Sequence, residues 1–564
     1  MRPTPIAIAL LALAAPFAAA HAQTPITLTQ AMADPDWIGP PVEQAWWAWD
    51  GQRVQYQLKR EGASIRDTWQ QGVAGGTAAK LDGAARADLD AARPVIDPQR
   101  TRMAFVRNGD VFVRDLRNGT LTQVTRSNES EATPQWSSDG GLVFRAGNDW
   151  YQWRAGQGVS QAAVVKAEKD PAATPKADDL RERQLAMIAT LKNDRAQREA
   201  ARAQSEQWRR ADPTSAPSPT YLGDEVKIVD SALSPDAKWL LVVTEAKSGD
   251  EGQGGKMPKY VTESGYEEFE EVRTRVGRNA PVAHKLWLVD VANAKASELK
   301  FDTLPGIKDD PLAAMRKAAR QEPLKGDRAV RIESDGDGTG PAIHWSDDSR
   351  NVAVLVRAID NKDRWIAGVD LANAKLSVRD RLTDKAWINW GFNDFGWTRD
   401  GALWFLSERS GYSHLYVNEG GKSRALTSGQ WEVSTPVLAA DGNTFFFTCN
   451  RKWPGDYEVC AVPRNGGDVR EVTALDGVED FSLSPDGSKV LVRHSTSYMP
   501  PQLSVIGADG QGLAQLTDTR KAEFKNRQWI QPEYVQVPSK HGAGVVWGKF
   551  YGPKNYEPGR KYPI

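Results

Sequence analysis

Apolar and polar residues alternate over short runs along most of the chain, and tight turns separate the runs. A period of two predicts strands. Asp480-Phe481-Ser482-Leu483 and Lys489-Val490-Leu491-Val492 flank the turn Ser484-Pro485-Asp486-Gly487-Ser488. There Pro485 fixes φ, Asp486 can bond its own backbone, and Gly487 tolerates a positive φ. The same turn recurs at Trp49-Asp50-Gly51, Ile96-Asp97-Pro98-Gln99, Trp136-Ser137-Ser138-Asp139-Gly140 and Leu233-Ser234-Pro235-Asp236. It returns at Trp345-Ser346-Asp347-Asp348, Trp397-Thr398-Arg399-Asp400-Gly401 and Leu438-Ala439-Ala440-Asp441-Gly442, which with the first makes eight copies.

An apolar strand follows each copy, as in Val54 to Leu58, Trp239 to Val243 and Val352 to Val356. A third often comes next, as in Lys285-Leu286-Trp287-Leu288-Val289 and His414-Leu415-Tyr416-Val417. A fourth often ends in Leu-Thr or Val-Thr, at Thr125, Thr383, Thr427, Thr473 and Thr517. Four strands repeating every ~40–50 residues make the signature of a β-propeller blade. The fold class expected is therefore all-β, a propeller of eight four-stranded blades over residues 42–520.

Two stretches break the period. Residues 167–219 are charged and Ala-rich, and 177–210 reads as one long helix or a helix pair. The second break, between Asp236 and Asp348, holds the loop Gly249 to Lys256 and a Glu-rich segment, Tyr260 to Arg278. After Thr517 the character changes. Residues 521–564 carry two strand-like runs, Tyr534 to Val537 and Val545 to Tyr551, and then a Pro/Gly loop. They are expected to open a second domain, incomplete at Ile564.

The N-terminus has Arg2, an apolar run from Ile6 to Ala15, and Ala20-His21-Ala22 before Gln23, the pattern of a secretory signal over 1–22. The run is too short to span a bilayer, which takes about 20 residues. A lead-in over 23–41 follows, and the mature protein is expected to be periplasmic or secreted with no membrane span. With 72 basic and 73 acidic residues the chain lacks the basic excess that nucleic acid needs. Export permits a disulfide between the only two cysteines, Cys449 and Cys460, which lie on neighbouring strand-like runs. A bond is expected; two buried thiols that never meet are the alternative.

Catalytic motifs are missing. No Gly-x-Ser-x-Gly elbow and no His-Glu-x-x-His pair occurs. Asp335-Gly336-Asp337-Gly338-Thr339-Gly340 begins like a calcium loop but has Ser346 where the bidentate Glu belongs, so it reads as a loop between blades. Neither catalytic residues, a metal nor a cofactor is assigned.

Trp397 to Thr517 resembles the later blades of the prolyl oligopeptidase superfamily, in its dipeptidyl-peptidase-IV branch. The resemblance rests on Ser410-Gly411-Tyr412-Ser413-His414-Leu415-Tyr416, Leu426-Thr427-Ser428-Gly429-Gln430-Trp431-Glu432-Val433 and Leu483-Ser484-Pro485-Asp486-Gly487. Pro532-Glu533 through Lys561-Tyr562-Pro563-Ile564 is similar to the opening of that family's α/β-hydrolase domain. The resemblance implies an exported serine peptidase acting on short peptides. Its propeller would cap the hydrolase domain, limit access and help hold the substrate N-terminus, with the Ser-Asp-His triad lying beyond Ile564.

That branch holds the substrate amine with paired Glu residues before a Ser-Pro-Asp-Gly-type turn. Here only Gly223-Asp224-Glu225 precedes Ser234-Pro235-Asp236. Glu267 and Glu268 are the substrate-binding candidates instead, with mutual neutralisation by nearby Arg as the alternative. The partners expected are a peptide substrate and the hydrolase domain, and a homodimer stays open. The competing function is a non-catalytic periplasmic propeller that binds a protein or peptide, as TolB-like scaffolds do.

Overall fold

A computed structural model of the chain describes residues 26–563 apart from 34, 172, 174–177, 213, 248–253, 273–281, 334–339, 543 and 554. The signal expected over 1–22 lies outside these residues, as do Asp335 to Thr339 and Arg273, Arg275 and Arg278. No helix of the described residues is long and apolar enough to cross a membrane.

The repeat folds into eight antiparallel sheets, the blades, over 42–81, 95–123, 131–163, 226–299, 330–383, 395–425, 433–471 and 478–515. In every blade but the fifth, four strands pair in an order that follows the sequence. Each inter-blade layer is apolar. Leu241, Leu288, Val354 and Phe405 join blades 4 to 6, and Val459, Ile506 and Val490 join blades 7 and 8. Val42, Val54 and Tyr56 of blade 1 pack on Leu491, Leu503 and Val505 of blade 8, so the ring closes by side-chain packing between two complete sheets.

Each part of the repeat has a bonding task. The Ser484 hydroxyl donates to Asp486 Oδ1 at 2.5 Å and accepts from Lys489 N at 2.9 Å, pinning the start of the second strand. Ser346 bonds Asp348 and Asn351 N in the same way, and Thr398 bonds Asp400 and Ala402 N. In blade 2 the carboxylate of Asp97 does the work of the hydroxyl, accepting from Thr101 N at 2.7 Å and Arg102 N at 2.9 Å. The terminal Thr caps the third strand. Thr125, Thr427, Thr473 and Thr517 accept from Val111 N, Leu415 N, Val459 N and Leu503 N.

The tryptophans fasten one blade to the next, where a large flat ring packs and its N–H finds a carbonyl. Trp136 donates to Val95 O at 3.0 Å, Trp345 to Ala232 O at 3.2 Å, and Trp397 to His344 O at 2.9 Å. Trp47, not Trp49 of the turn motif, fills this place in blade 1, reaching Ser482 O of blade 8 at 3.1 Å.

Blade 5 departs from four strands. Its first strand is broken into Val330–Arg331 and Ile343–Trp345, both paired with Val352–Ala358. Gly340, the described end of the Asp-Gly stretch, precedes the second piece of this broken strand. The insertion after blade 3 is a helix pair, Asp179–Met187 and Ala189–Ala211. The Glu-rich segment of blade 4 contributes to a two-stranded arm, Gly255–Lys259 against Glu268–Val272. Cys449 and Cys460 are bonded across adjacent strands, with Cα atoms 6.0 Å apart.

Candidate functional site: the connector face and the channel

Antiparallel order divides the ring into two faces. The Ser-Pro-Asp-Gly-type turns join first to second strands, so they share one face with the turns between third and fourth strands. Loops between second and third strands, and connectors from blade to blade, fall on the other. On this connector face lie the lead-in, the helix pair, the arm of blade 4 and the tail after Gln515.

The first strands surround the channel. A cavity of about 590 Å³ is lined by Ile96, Gln135, His344, Trp397 and Leu438 from five blades, with Asp347 and Arg399 on the turns at its rim. His344 sets its ring edge-on against Phe395 at 4.7 Å, and burial pushes its pKa down to about 4. Asp394, next to Phe395, is pushed up to about 6 by burial.

Charged groups gather where blades 5 to 7 meet the connector face. Arg364 is buried and donates to Asp380 Oδ2 at 3.0 Å, to Asn393 Oδ1 at 2.8 Å and to Leu406 O at 3.1 Å. Arg409 also bonds Asp380 and lies over the ring of Tyr416 at 4.8 Å. Beside this network stand Glu408, at the end of the second strand of blade 6, and Glu432, just before blade 7. Burial first, and the Glu432 charge second, raise the Glu408 pKa above the usual carboxylate range, while Asn389 and Arg364 oppose them. Asn450 holds Glu432 at both ends, accepting from its N–H at 2.7 Å and donating to Oε2 at 3.4 Å. Two half-buried carboxylates, one of them raised in proton affinity by the charge of the other, form a place where a cation relieves repulsion.

A second cavity, about 840 Å³, opens between blades 7 and 8 and the tail ribbon Glu533–Pro538 with Val545–Phe550. Trp453 of blade 7 packs on Tyr534 at 4.2 Å and on Trp547 at 5.8 Å, seating the ribbon on the connector face.

The residues singled out in the sequence fall elsewhere. Glu267 and Glu268 lie on the arm and are exposed; Ser264 donates to Glu268 at 2.7 Å, and Lys259 pairs with Glu270 at 2.9 Å. Neither lines the channel cavity or the cavity beside the ribbon. Asp224 is tied to Lys169 at 2.9 Å. Glu408 and Glu432 escaped the sequence reading because they are separated by a whole hairpin of blade 6. Their one signal was the stretch Trp431-Glu432-Val433, which the family resemblance already contained.

Comparison with known proteins agrees with this geometry. Residues 327–501, from blade 5 into blade 8, match the model of the dipeptidyl peptidase IV (DPP IV) N-terminal region. A dipeptidyl peptidase 4 of Arthroderma otae is 25% identical over 173 residues, which is 28% of this chain and 21% of that protein. The matched part thus spans about a fifth of the curated relative's length. Among solved structures, Porphyromonas gingivalis dipeptidyl peptidase 4 aligns over 95% of this chain and 68% of its own, with TM-score 0.52 and 16% identity. A dipeptidyl aminopeptidase IV-type protein of Bacteroides ovatus aligns over 93% and 67%, with TM-score 0.53 and 13% identity. At such identities the structural likeness shows the fold, an eight-bladed propeller, and the family match adds that residues 327–501 are similar in sequence to the dipeptidyl peptidase IV N-terminal region.

Proposed function

We propose that this propeller is the gating part of an exported serine peptidase that acts on short peptides. A hydrolase domain would continue from the tail ribbon and sit on the connector face, supplying the Ser, His and Asp of acyl transfer. The channel would admit extended chains and exclude folded ones. The observation that carries the reading is the coincidence, on one face, of the tail ribbon and the Glu408–Glu432 pair within the family-matched blades.

The pair gives the propeller its part in recognition. A peptide's terminal ammonium placed near two carboxylates gains charge-assisted hydrogen bonds and removes their repulsion. Glu267 and Glu268 are the competing holders of that ammonium, and their arm, bearing exposed Tyr260, Val261, Tyr266 and Phe269, is also the natural place for a second copy to dock in a homodimer.

The test uses the protein with its hydrolase domain and chromogenic Xaa-Pro or Xaa-Ala substrates with free or blocked amines. Glu408→Gln and Glu432→Gln are expected to raise KM about tenfold or more for free-amine substrates and to spare blocked ones. The same selective loss from Glu267→Gln with Glu268→Gln would transfer the role to the arm. Absence of any fluorophosphonate-sensitive hydrolysis would leave a binding propeller without catalysis.

A further inference from the structure

At the junction of blades 4 and 5 one buried histidine has two alternative bonding states. Glu245 and His284 form the last register pair of the second and third strands of blade 4, whose connection carries the arm. His284 is 3% exposed. With the neutral ring's proton on Nε2, its Nδ1 accepts from Ile332 N at 3.0 Å. That Nε2 is buried with no hydrogen-bond partner, 3.6 Å from Glu245 Oε2. The carbonyl of the same Ile332 lies 3.1 Å from Nδ1.

Adding one proton therefore reverses the contact. Nδ1–H must donate to Ile332 O, Ile332 N–H loses its acceptor, and Nε2–H gains an ionic partner in Glu245. Ile332 immediately follows the broken first strand of blade 5, Val330–Arg331, so the reversal occurs across the junction. We infer that His284 is a pH-responsive latch between blades 4 and 5, holding Ile332 N–H in its neutral form and Ile332 O when the imidazole is protonated.

The surroundings set its range. Burial, helped by Arg331, holds the His284 pKa below the ordinary value, while Glu333 and Glu245 oppose them. Lys227 occupies the other oxygen of Glu245 at 2.6 Å, and Glu333 is shared between Arg331 at 2.9 Å and Arg357 at 3.0 Å. The bond from Ile332 N–H thus belongs to neutral pH and gives way to the bond to Ile332 O in acid, on the side of pH expected for a depressed histidine.

Hydrogen exchange read by mass spectrometry over 330–332 tests the latch. After correction for intrinsic chemistry, exchange at Ile332 is expected to accelerate about tenfold between about pH 7.5 and about pH 5. His284→Asn keeps an acceptor near Ile332 N–H but takes no proton, so its exchange stays flat. Glu245→Gln leaves the imidazole in place and moves the acceleration to lower pH, which keeps the idea testable if the Asn variant fails to fold. Unchanged wild-type exchange over this range would overturn the latch. So would the same acid response in wild type and both variants.

Discussion

The two faces of the ring are built by opposite means. On the turn face, one hydroxyl, one carboxylate and one residue with positive φ recur blade after blade, as at Ser484, Asp486 and Gly487. On the connector face nearly every blade differs: a helix pair follows blade 3, an arm leaves blade 4, and a ribbon follows blade 8. Repetition serves closure, because each blade must meet its neighbour in the same way. The irregular face is released from that demand and is where the proposed partner domain and substrate would be recognised.

The comparison predicts that damage to the repeated contacts costs stability while damage to the connector face does not. The largest loss is expected from Trp136→Ala, which empties a buried site and leaves Val95 O without its donor, at about 3–5 kcal/mol in urea unfolding. Opening the Cys449–Cys460 bond with a Ser pair should remove about 2–4 kcal/mol, read by comparing melting with and without reductant.

Acid sharpens the contrast inside the channel. His344, about 4 when folded against an ordinary 6.5, gives stability that is present at neutral pH and lost as pH falls from about 6.5 toward 4. Asp394, raised to about 6, acts the other way, favouring the fold as pH falls from 6 toward its ordinary 3.8. His344→Gln should therefore convert a net loss of about 0.5 kcal/mol between pH 7 and pH 5 into a gain of about 1 kcal/mol, measured by urea unfolding at both values.

Smaller effects complete the series. Ser484→Ala leaves Lys489 N without its side-chain acceptor and is expected to cost about 1–2 kcal/mol. Replacing arm residues 255–272 by a short Gly/Ser link should alter unfolding by no more than about 0.5 kcal/mol. A large loss there would mean that the arm braces the ring, and the division between faces would fail.

The same division explains what the sequence disclosed. Eight blades were readable because the turn has a chemistry that few residues satisfy. Where a substitute served, as with Asp97 for Ser or Trp47 two places before the apparent Trp49, the copy looked degenerate although its geometry is intact. The arm was hidden because its strands carry exposed Glu and Lys without apolar alternation. The Glu408–Glu432 pair was hidden for a different reason: packing of blade 6 on blade 7, which no local pattern encodes, creates the proximity.

The closure of the ring has a topological consequence. Thr519 donates to Pro40 O at 2.5 Å, Lys521 N donates to Ile38 O at 2.9 Å, and Trp37 packs on Phe524 at 5.5 Å. The chain thus enters and leaves the ring at a single point. The first and last blades are thus tied together by the segments that lead into and out of the ring, as a clasp closes a necklace. Such a unit is a cassette. It can be lodged within another fold, or permuted by joining its ends and cutting a turn between two blades, without altering any contact inside the wheel.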